Sequence, residues 1–251
     1  MVQVQSAQEM IKIRKQLEGQ SVGFVPTMGA LHQGHLQLLK TARQENQVVI
    51  LSIFVNPTQF NNPSDFKNYP ITLTEDLRLA QNVGVDYVLT PQYQDLYQDN
   101  YRFKMTENEF SKKLCGQHRP GHFDGVLSVV LKLLNIVRPD AAYFGEKDYQ
   151  QFKLIKDMAD TFFISSQIKM VETVRENTGL AMSSRNLRLN PEQKILAPKM
   201  YQTISQKISP DQAIKELQKL GFQVDYVEDH GDRRFAAAFL GEVRLIDNVK
   251  I

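Results

Sequence analysis

The sequence contains one cysteine, Cys115, in 251 residues, so no internal disulfide can form. It also lacks the paired cysteine and histidine spacings of structural zinc sites, and both absences favour a reducing compartment. No stretch approaches the roughly 20 apolar residues that a membrane-spanning helix needs. Residues 1–20 are typical of a polar, charged helix and lack the apolar segment of a secretory signal. We therefore expect a cytoplasmic protein that does not enter the membrane.

The sequence also lacks a long basic block, an internal repeat and a low-complexity segment. Its formal net charge is +2, and Lys and Arg are interspersed with Asp and Glu. Proteins that bind extended nucleic acid usually carry a basic patch, so we expect any anionic partner to be small. Hydrophobic residues make up 42% and charged residues 23%, which is typical of one large globular domain or two modest ones.

Apolar runs of strand length alternate with helical patterns in the first part of the chain. A capping-box pattern at Ser6 and Glu9 predicts a first helix. Strands separated by helices indicate an α/β, Rossmann-like fold, in which helices cover both faces of a parallel sheet and ligands bind at the carboxyl ends of the strands. The predicted strands are residues 22–26, 48–55, 85–89, 141–144 and 167–171, and the predicted helices are 34–46, 72–83, 125–137 and 149–161.

The pattern changes near residue 174 and indicates a smaller second domain of α+β type. Gly241 and Glu242 lie between two apparent strands and are typical of a hairpin turn. We divide the chain into domains 1–173 and 174–251. The elements predicted in the second domain are helices 192–207 and 211–220 and strands 222–227, 235–240 and 243–246.

The first strand-to-helix turn, Pro26–His35, carries His32 and His35 on either side of Gly34. A helix N-terminus offers free N–H groups and partial positive charge, imidazoles donate hydrogen bonds, and glycine permits close approach, so the turn suits a phosphate. Two alternatives remain: one histidine caps the helix while the other packs, or the pair binds a metal. The His-x-Gly-His signature resembles that of the nucleotidyltransferase superfamily, whose members bind the phosphates of ATP with it.

Three later loops also carry polar side chains. Asn56 and Gln59 follow the second strand and suit a hydroxyl-bearing small molecule, unless they form an Asn-Pro turn with a solvated glutamine. Lys147 follows another strand and suits phosphate charge, although Glu-Lys-Asp also begins many solvated helices. Segment 182–185 combines hydroxyls with a guanidinium near the domain junction, which suits a phosphate clamp or, alternatively, a serine-rich turn.

Together these four segments are similar to those of the pantoate–β-alanine ligase (pantothenate synthetase) family. The resemblance extends to segments 114–116, 119–123, 130–135 and 243–248, and therefore to nearly the whole chain. It implies a Rossmann-like N-terminal domain with a smaller C-terminal lid domain, and a homodimer. Arginine often follows the Tyr-Pro pair in this family, where this chain has Ile71. The C-terminal domain is also shorter than usual for this family.

The resemblance implies the ATP-dependent condensation of (R)-pantoate with β-alanine to pantothenate. Pantoate would attack the α-phosphate of Mg-ATP to give pantoyl adenylate and pyrophosphate, and the amine of β-alanine would then displace AMP. Magnesium (Mg²⁺) would be held mainly by the ATP phosphates, because it retains waters and needs few carboxylates. A lid would protect the adenylate from hydrolysis.

The resemblance also implies roles for individual residues. His35 would be the general acid or transition-state donor, with His32 beside it and Lys147 on the phosphates. Val174 would contact the adenine or ribose through its backbone. The implied ATP site comprises Met28, Gly29, Ala30, Leu31, His32, Gln33, Gly34, His35, Gly145, Glu146, Lys147, Asp148, Val174, Met182, Ser183, Ser184 and Arg185; pantoate would be bound by Gln59 and Gln151, and β-alanine by Gln59 and Asn56.

Two other functions fit parts of the pattern. A nucleotidyltransferase would end at an adenylated or cytidylated product and use no amine. Gln59 and Gln151 favour the ligase, because an uncharged amide pair suits a hydroxy acid. A nucleotide sensor could reuse the fold without catalysis. The two histidines, Lys147 and Arg185 argue against a sensor.

Overall fold

A computed structural model describes residues 1–251 and contains two sheets. The larger sheet has six parallel strands in the order β1-β4-β3-β2-β5-β6. The chain runs from β2 outward to β3 and β4 on one side, and β5 and β6 lie on the other side. The strand order therefore reverses between β2 and β5, where open α/β sheets bind ligands. The strands are β1 (Val2–Val4), β2 (Val22–Thr27), β3 (Val48–Ile53), β4 (Tyr87–Leu89), β5 (Ala141–Gly145) and β6 (Gln167–Val171).

Helices cover both faces of this sheet, as predicted. Neighbouring strand residues point to opposite faces, so Phe24 and Ile50 join one buried cluster while Val25 and Leu51 join another. The first cluster includes residues of α1, α7 and α8, and the second includes residues of α2 and α4. The helices are α1 (Ala7–Gln16), α2 (Gln33–Glu45), α3 (Pro63–Lys67), α4 (Leu73–Asn82), α5 (Tyr93–Leu96), α6 (Cys115–His118), α7 (His122–Val137), α8 (Tyr149–Thr161), α9 (Pro191–Leu196), α10 (Pro198–Ile204) and α11 (Pro210–Lys219).

The smaller sheet is antiparallel, with β7 (Gln223–His230), β8 (Arg233–Leu240) and β9 (Val243–Lys250). Gly241 has φ +61° in the turn between β8 and β9, a conformation that favours glycine, so the predicted hairpin is confirmed. One face of the sheet packs on α10 and α11. Tyr226 and Phe235 pack into the core of the larger sheet. The α+β architecture is confirmed, and the boundary between 173 and 174 stays a prediction.

Several local predictions differ from the structure; for instance, β7 and β9 end at His230 and Lys250, beyond the predicted ends at 227 and 246. Residues 1–20 are not a single helix, because Val2–Val4 form β1 beside β4 and bury Val4. The helix predicted over 192–207 is divided into α9 and α10, since Pro198 has no N–H to continue the first helix. Helix α7 begins at His122, three residues earlier than predicted. No helix combines the length and apolar character that crossing a membrane requires.

Candidate active site

The loops after β2, β3 and β5 open into one cavity of about 860 Å³. This volume lies within the usual range for small-molecule sites. The roles expected for His35, Lys147 and Gln151 require that these residues share one cavity. All three line this cavity. The predicted site residues that line the cavity are Met28, His32, Gly34, His35, Asn56, Gln59, Gly145, Lys147, Asp148, Gln151, Val174, Met182, Ser183, Ser184 and Arg185.

Five residues assigned to ATP do not line the cavity: Gly29, Ala30, Leu31, Gln33 and Glu146. Gly29, Ala30 and Leu31 form a tight loop, and two of its N–H groups bind a buried carboxylate on the side away from the cavity. The sequence did not indicate that this carboxylate belongs to the site. Asp76 of α4 is 1% exposed and accepts hydrogen bonds from the N–H groups of Ala30, at 3.0 Å, and Leu31, at 2.8 Å. Ala30 has φ +50°, which is uncommon for a residue with a side chain. The buried carboxylate therefore fixes the backbone next to Met28.

His32 and His35 lie at the N-terminus of α2 with their ring centres 4.0 Å apart. The Nδ1 atom of His32 accepts a hydrogen bond from the N–H of Gly34 at 3.1 Å, so the interpretation of one histidine as a helix cap is confirmed. The Nδ1 atom of His35 accepts from the N–H of His32 at 3.3 Å. A neutral imidazole whose Nδ1 accepts carries its proton on Nε2. Both rings therefore keep an Nε2–H donor.

The surroundings keep these two histidines neutral. The pKa of His32 is lowered to about 4, chiefly by burial and also by the positive charge of Lys147, while Asp148 opposes the shift. Burial likewise holds the pKa of His35 well below its ordinary value, with additional lowering by His32 and Lys147. Near neutral pH both side chains are hydrogen-bond donors rather than cations.

Lys147 lies in the 3₁₀ turn Glu146–Asp148 that follows β5. Its side chain is 17% exposed, and its Nζ atom is 3.2 Å from the carboxylate of Asp148. Glu146 is turned away from the cavity: its carboxylate accepts from the guanidinium of Arg233 and from the N–H of Thr173. The loop thus presents an ammonium group to the cavity, while Glu146 anchors the loop to β8.

Gln59 is positioned by Asn56. The Nδ2 atom of Asn56 donates to Oε1 of Gln59 at 3.1 Å, and Nε2 of Gln59 contacts the sulfur of Met28 at 3.0 Å. Asn56 is 1% exposed, and its remaining hydrogen bonds go to Thr58, Tyr97 and the backbone of α7. The contact of Asn56 with the amine of β-alanine stays a prediction, and these hydrogen bonds favour an indirect role through Gln59.

Two residues on the other side of Gln59 were noted in the sequence without a role. His122 donates from Nδ1 to the carbonyl oxygen of Gln59 at 2.8 Å, and Arg119 donates to the same oxygen at 3.2 Å. The Nη1 atom of Arg119 also donates to Nε2 of His122 at 3.1 Å, which fixes the tautomer of the ring. Burial and the charge of Arg119 hold the pKa of His122 well below its ordinary value. Both residues line the cavity.

The segment Met182–Arg185 closes another side of the cavity. Arg185 donates to the carboxylate of Asp65 at 2.9 Å, and Arg188 donates to its other oxygen at 2.7 Å. Burial raises the pKa of Asp65, but the charges and hydrogen bonds of these two arginines outweigh burial and lower it. The carbonyl oxygen of Val174 accepts from the N–H of Met182 at 2.9 Å. Asp65 was not predicted, because its partners are more than a hundred residues away in the sequence.

The comparisons with known proteins point to one family. A family profile described as pantoate-beta-alanine ligase matches residues 2–250. The pantothenate synthetase of Bdellovibrio bacteriovorus is 55% identical over 100% of both chains, so the short C-terminal region is shared with that relative. The pantothenate synthetase of Coxiella burnetii (strain Dugway 5J108-111) is 48% identical over 98% of this chain and 95% of that one.

Solved structures agree with these sequence relatives. The crystal structure of pantoate-beta-alanine ligase from Francisella tularensis, complexed with beta-gamma ATP and beta-alanine, has a TM-score of 0.96 and 42% identity, covering 100% of this chain and 97% of that one. The structure of pantothenate synthetase from Thermus thermophilus has a TM-score of 0.90 and 36% identity, covering 100% of this chain and 99% of that one.

Proposed function

Because the chain belongs to the pantoate-beta-alanine ligase family, it is an ATP-dependent ligase that joins pantoate to β-alanine, and we propose that it works through a pantoyl-adenylate intermediate. The observation that carries this proposal is the shared cavity, which is lined by the imidazoles of His32 and His35, the ammonium of Lys147 and the guanidinium of Arg185. Phosphoryl and adenylyl transfer depend chiefly on positioning and on stabilising charge. This donor set suits an α-phosphate under attack by a carboxylate.

In the first step, a carboxylate oxygen of pantoate forms a bond to the α-phosphorus of ATP. The bond from that phosphorus to the bridging oxygen breaks, and pyrophosphate leaves with the electron pair. His35 and Lys147 are suited to stabilise the negative charge that develops on the phosphate oxygens. His35 acts through its neutral Nε2–H, since burial disfavours its cationic form before ATP binds.

In the second step, the amine of β-alanine forms a bond to the acyl carbon of the adenylate. The bond from that carbon to the phosphate oxygen breaks, AMP leaves with this oxygen and its electron pair, and the amine releases a proton to the solvent. Gln59 lies where it can orient both the acyl group and the amine, because Asn56 and Met28 fix its amide. Gln151 lines the same cavity and is suited to bind the hydroxyls of pantoate.

Water must be excluded while the adenylate exists. The ion pairs from Asp65 to Arg185 and Arg188 join α3 to the 182–188 segment across the cavity. We propose that this link keeps the segment closed over the intermediate.

The residues present fit Mg²⁺ that is bound mainly through ATP. Asp148 lines the cavity beside Lys147 and is the carboxylate suited to reach such an ion. Octahedral Mg²⁺ commonly takes one or two carboxylates together with substrate phosphates and waters. When bound, it would neutralise charge on the triphosphate.

An oxygen-labelling experiment tests the intermediate. Pantoate carrying ¹⁸O in its carboxylate is incubated with ATP and β-alanine, and the products are analysed by mass spectrometry. Adenylation predicts one labelled oxygen in AMP, because that oxygen stays with phosphorus when the amide forms. Label in inorganic phosphate together with ADP would refute the adenylate while leaving the ligase activity intact.

Two further properties are proposals that follow from the family resemblance. The enzyme is a homodimer, which sedimentation or light scattering in solution tests. It acts in the cytoplasm, which fractionation of the source cells tests. A monomer of full activity would contradict the first proposal.

A further inference from the structure

Three arginines form a second cationic group in the cavity, separate from Lys147. Arg119, Arg185 and Arg244 all line the cavity. The pKa of Arg119 is lowered to about 10, chiefly by burial and also by the positive charges of Arg185 and Arg244. Positive charges in one cavity repel one another, and an anion bound between them offsets this repulsion.

The protein neutralises two of these arginines and leaves the third without a counter-ion. Asp65 pairs with Arg185 at 2.9 Å, and Asp225 pairs with Arg244 at 2.7 Å. Arg119 forms no ion pair. Its hydrogen bonds are to the carbonyl oxygen of Gln59 and to His122, both uncharged. A guanidinium has five N–H groups, so most of its donors remain free.

Arg244 supplies a second donor without a partner. Its Nη2 atom is buried and forms no hydrogen bond, whereas Nε binds Asp225 and Nη1 contacts the sulfur of Cys115 at 3.6 Å. Buried donors are almost always satisfied in native proteins, and an exception calls for a ligand or another explanation. Arg119 and Arg244 therefore independently indicate an anion-binding position in one part of the cavity.

We propose that Arg119, supported by Arg244, binds the carboxylate of β-alanine and so selects an amine acceptor that carries an anionic group. This inference rests on the proposed function. Arg119 touches the backbone of Gln59, whose side chain is suited to meet the acyl group and the amine. The carboxylate of β-alanine is separated from its amine by two methylene groups. An acceptor aligned on Gln59 therefore extends its carboxylate toward a neighbouring cation.

The other anions of the reaction have other partners. The triphosphate and the carboxylate of pantoate must meet at the α-phosphate, beside His35 and Lys147. Lys147 contributes to lowering the pKa of both His32 and His35, so these three groups are close together. The pKa of Arg119 is instead lowered by burial and by the charges of Arg185 and Arg244, so Arg119 lies nearer to these two arginines. Since Arg185 belongs to the segment that closes over the intermediate, Arg119 and Arg244 are left for the acceptor.

The test compares two acceptors and two half-reactions. Arg119→Gln is assayed with β-alanine and with 3-aminopropan-1-ol, which has the same number of carbons and an uncharged hydroxymethyl group in place of the carboxylate. We expect the KM for β-alanine to rise about tenfold or more, as for loss of a charged hydrogen bond. The kcat/KM for 3-aminopropan-1-ol and the pantoate-dependent exchange of pyrophosphate into ATP should not change.

Other results would overturn either the role of Arg119 or the adenylate intermediate. Equal losses with both acceptors would overturn the proposal and leave Arg119 only positioning Gln59. A fall in the exchange reaction would overturn it by placing Arg119 in adenylation. Absence of exchange in the parent enzyme would instead refute the adenylate. Arg78→Gln, on the exposed face of α4, is the control and should match the parent.

Arg119→Lys covers the case in which Arg119→Gln does not fold. Lysine keeps the positive charge but loses the two-pronged donor geometry of arginine. We expect a smaller rise in the KM for β-alanine and no change for 3-aminopropan-1-ol. Equal behaviour of the two acceptors in Arg119→Lys would also overturn the proposal.

Discussion

The backbone N–H of His32 donates a hydrogen bond to Nδ1 of His35 over 3.3 Å. This contact fixes the ring of His35 with its proton on Nε2. The helix N-terminus therefore positions a donor and also determines which nitrogen donates. A histidine further along the helix would have no free N–H group of its own helix to bind Nδ1, and its donor nitrogen would not be fixed in this manner.

Replacing either His35 or Lys147 by alanine should lower turnover by about a hundredfold or more, as expected when a group that stabilises developing charge is removed. The measurement is the single-turnover rate of adenylate formation at saturating ATP and pantoate. Near-normal rates in both variants would contradict the assigned roles. Thermal unfolding of each variant serves to separate loss of function from loss of structure.

The low pKa of His32 predicts a pH dependence of stability. Its folded-state pKa of about 4 lies below the ordinary value of 6.5, so the unfolded chain takes up a proton first as the pH falls. The stabilising contribution is complete above pH 6.5 and is lost as the pH decreases toward 4. Urea unfolding at several pH values measures this slope.

His32→Asn is the matched variant for this measurement, because asparagine can still cap the helix but does not titrate. Its free energy of unfolding should fall less steeply between pH 6.5 and 4 than that of the parent. An identical slope in the two proteins would show that His32 does not contribute. The depressed pKa values of His35 and His122 give slopes of the same sign in both proteins.

Asp76→Asn should weaken both the fold and ATP binding. The carboxylate accepts two backbone hydrogen bonds from the loop beside Met28, and an amide has only one acceptor oxygen. One buried N–H would lose its partner, at a cost of about 1–3 kcal/mol in the free energy of unfolding. Denaturant titration and the KM for ATP measure the two effects. The neighbouring exposed change Glu75→Gln should leave both unchanged.

Gly125→Ala should disturb the position of Gln59. A Cβ atom at this position of α7 would lie too close to the carbonyl oxygen of Thr58 and would meet the nitrogen of Gln59 at 2.7 Å. Both neighbours are backbone atoms, so the 3₁₀ turn that holds Gln59 must move. We expect a loss of about 1–3 kcal/mol in stability, as for other overpacked sites. A crystal structure with the turn unmoved would disprove the expectation.

Gln151→Ala should mainly raise the KM for pantoate, by about tenfold for a lost hydrogen bond to the substrate. Gln150 provides the contrast, because its amide is used inside the protein by Cys115, Phe110 and Lys113. Gln150→Ala should lower the melting temperature. If the pantoate dependence of Gln151→Ala equals that of the parent, the assignment of Gln151 fails.

The long periodic elements were predictable from the sequence. Helix α8 and strand β6 have the predicted bounds, because local periodicity and flanking polar residues define them. Strand β1 was not predicted, since three residues are too few for a pattern and only pairing with β4 identifies them. The interruption at Pro198 was missed although proline there argues against one continuous helix.

The site residues also divide into those that local sequence patterns predict and those that depend on long-range contacts. His32, His35, Lys147 and Gln59 follow predicted strands, so the rule for strand ends identified them. Asp65, Asp76 and Arg119 act through partners distant in the sequence, and no local spacing specifies such partners. Their roles became visible only when the folded chain brought the loops together.

Strand β9 is tied directly to the loop that carries Lys147. Asn248 donates from Nδ2 to the carbonyl oxygens of Glu146 and Lys147, at 2.9 and 3.0 Å, and Arg233 holds the carboxylate of Glu146. The position of the Lys147 ammonium is therefore set by both sheets: β5 leads into its turn, and β8 and β9 hold that turn from the opposite side. A substitution in the antiparallel sheet that moves Asn248 would also move this positive charge, although it lies about a hundred residues away in the sequence.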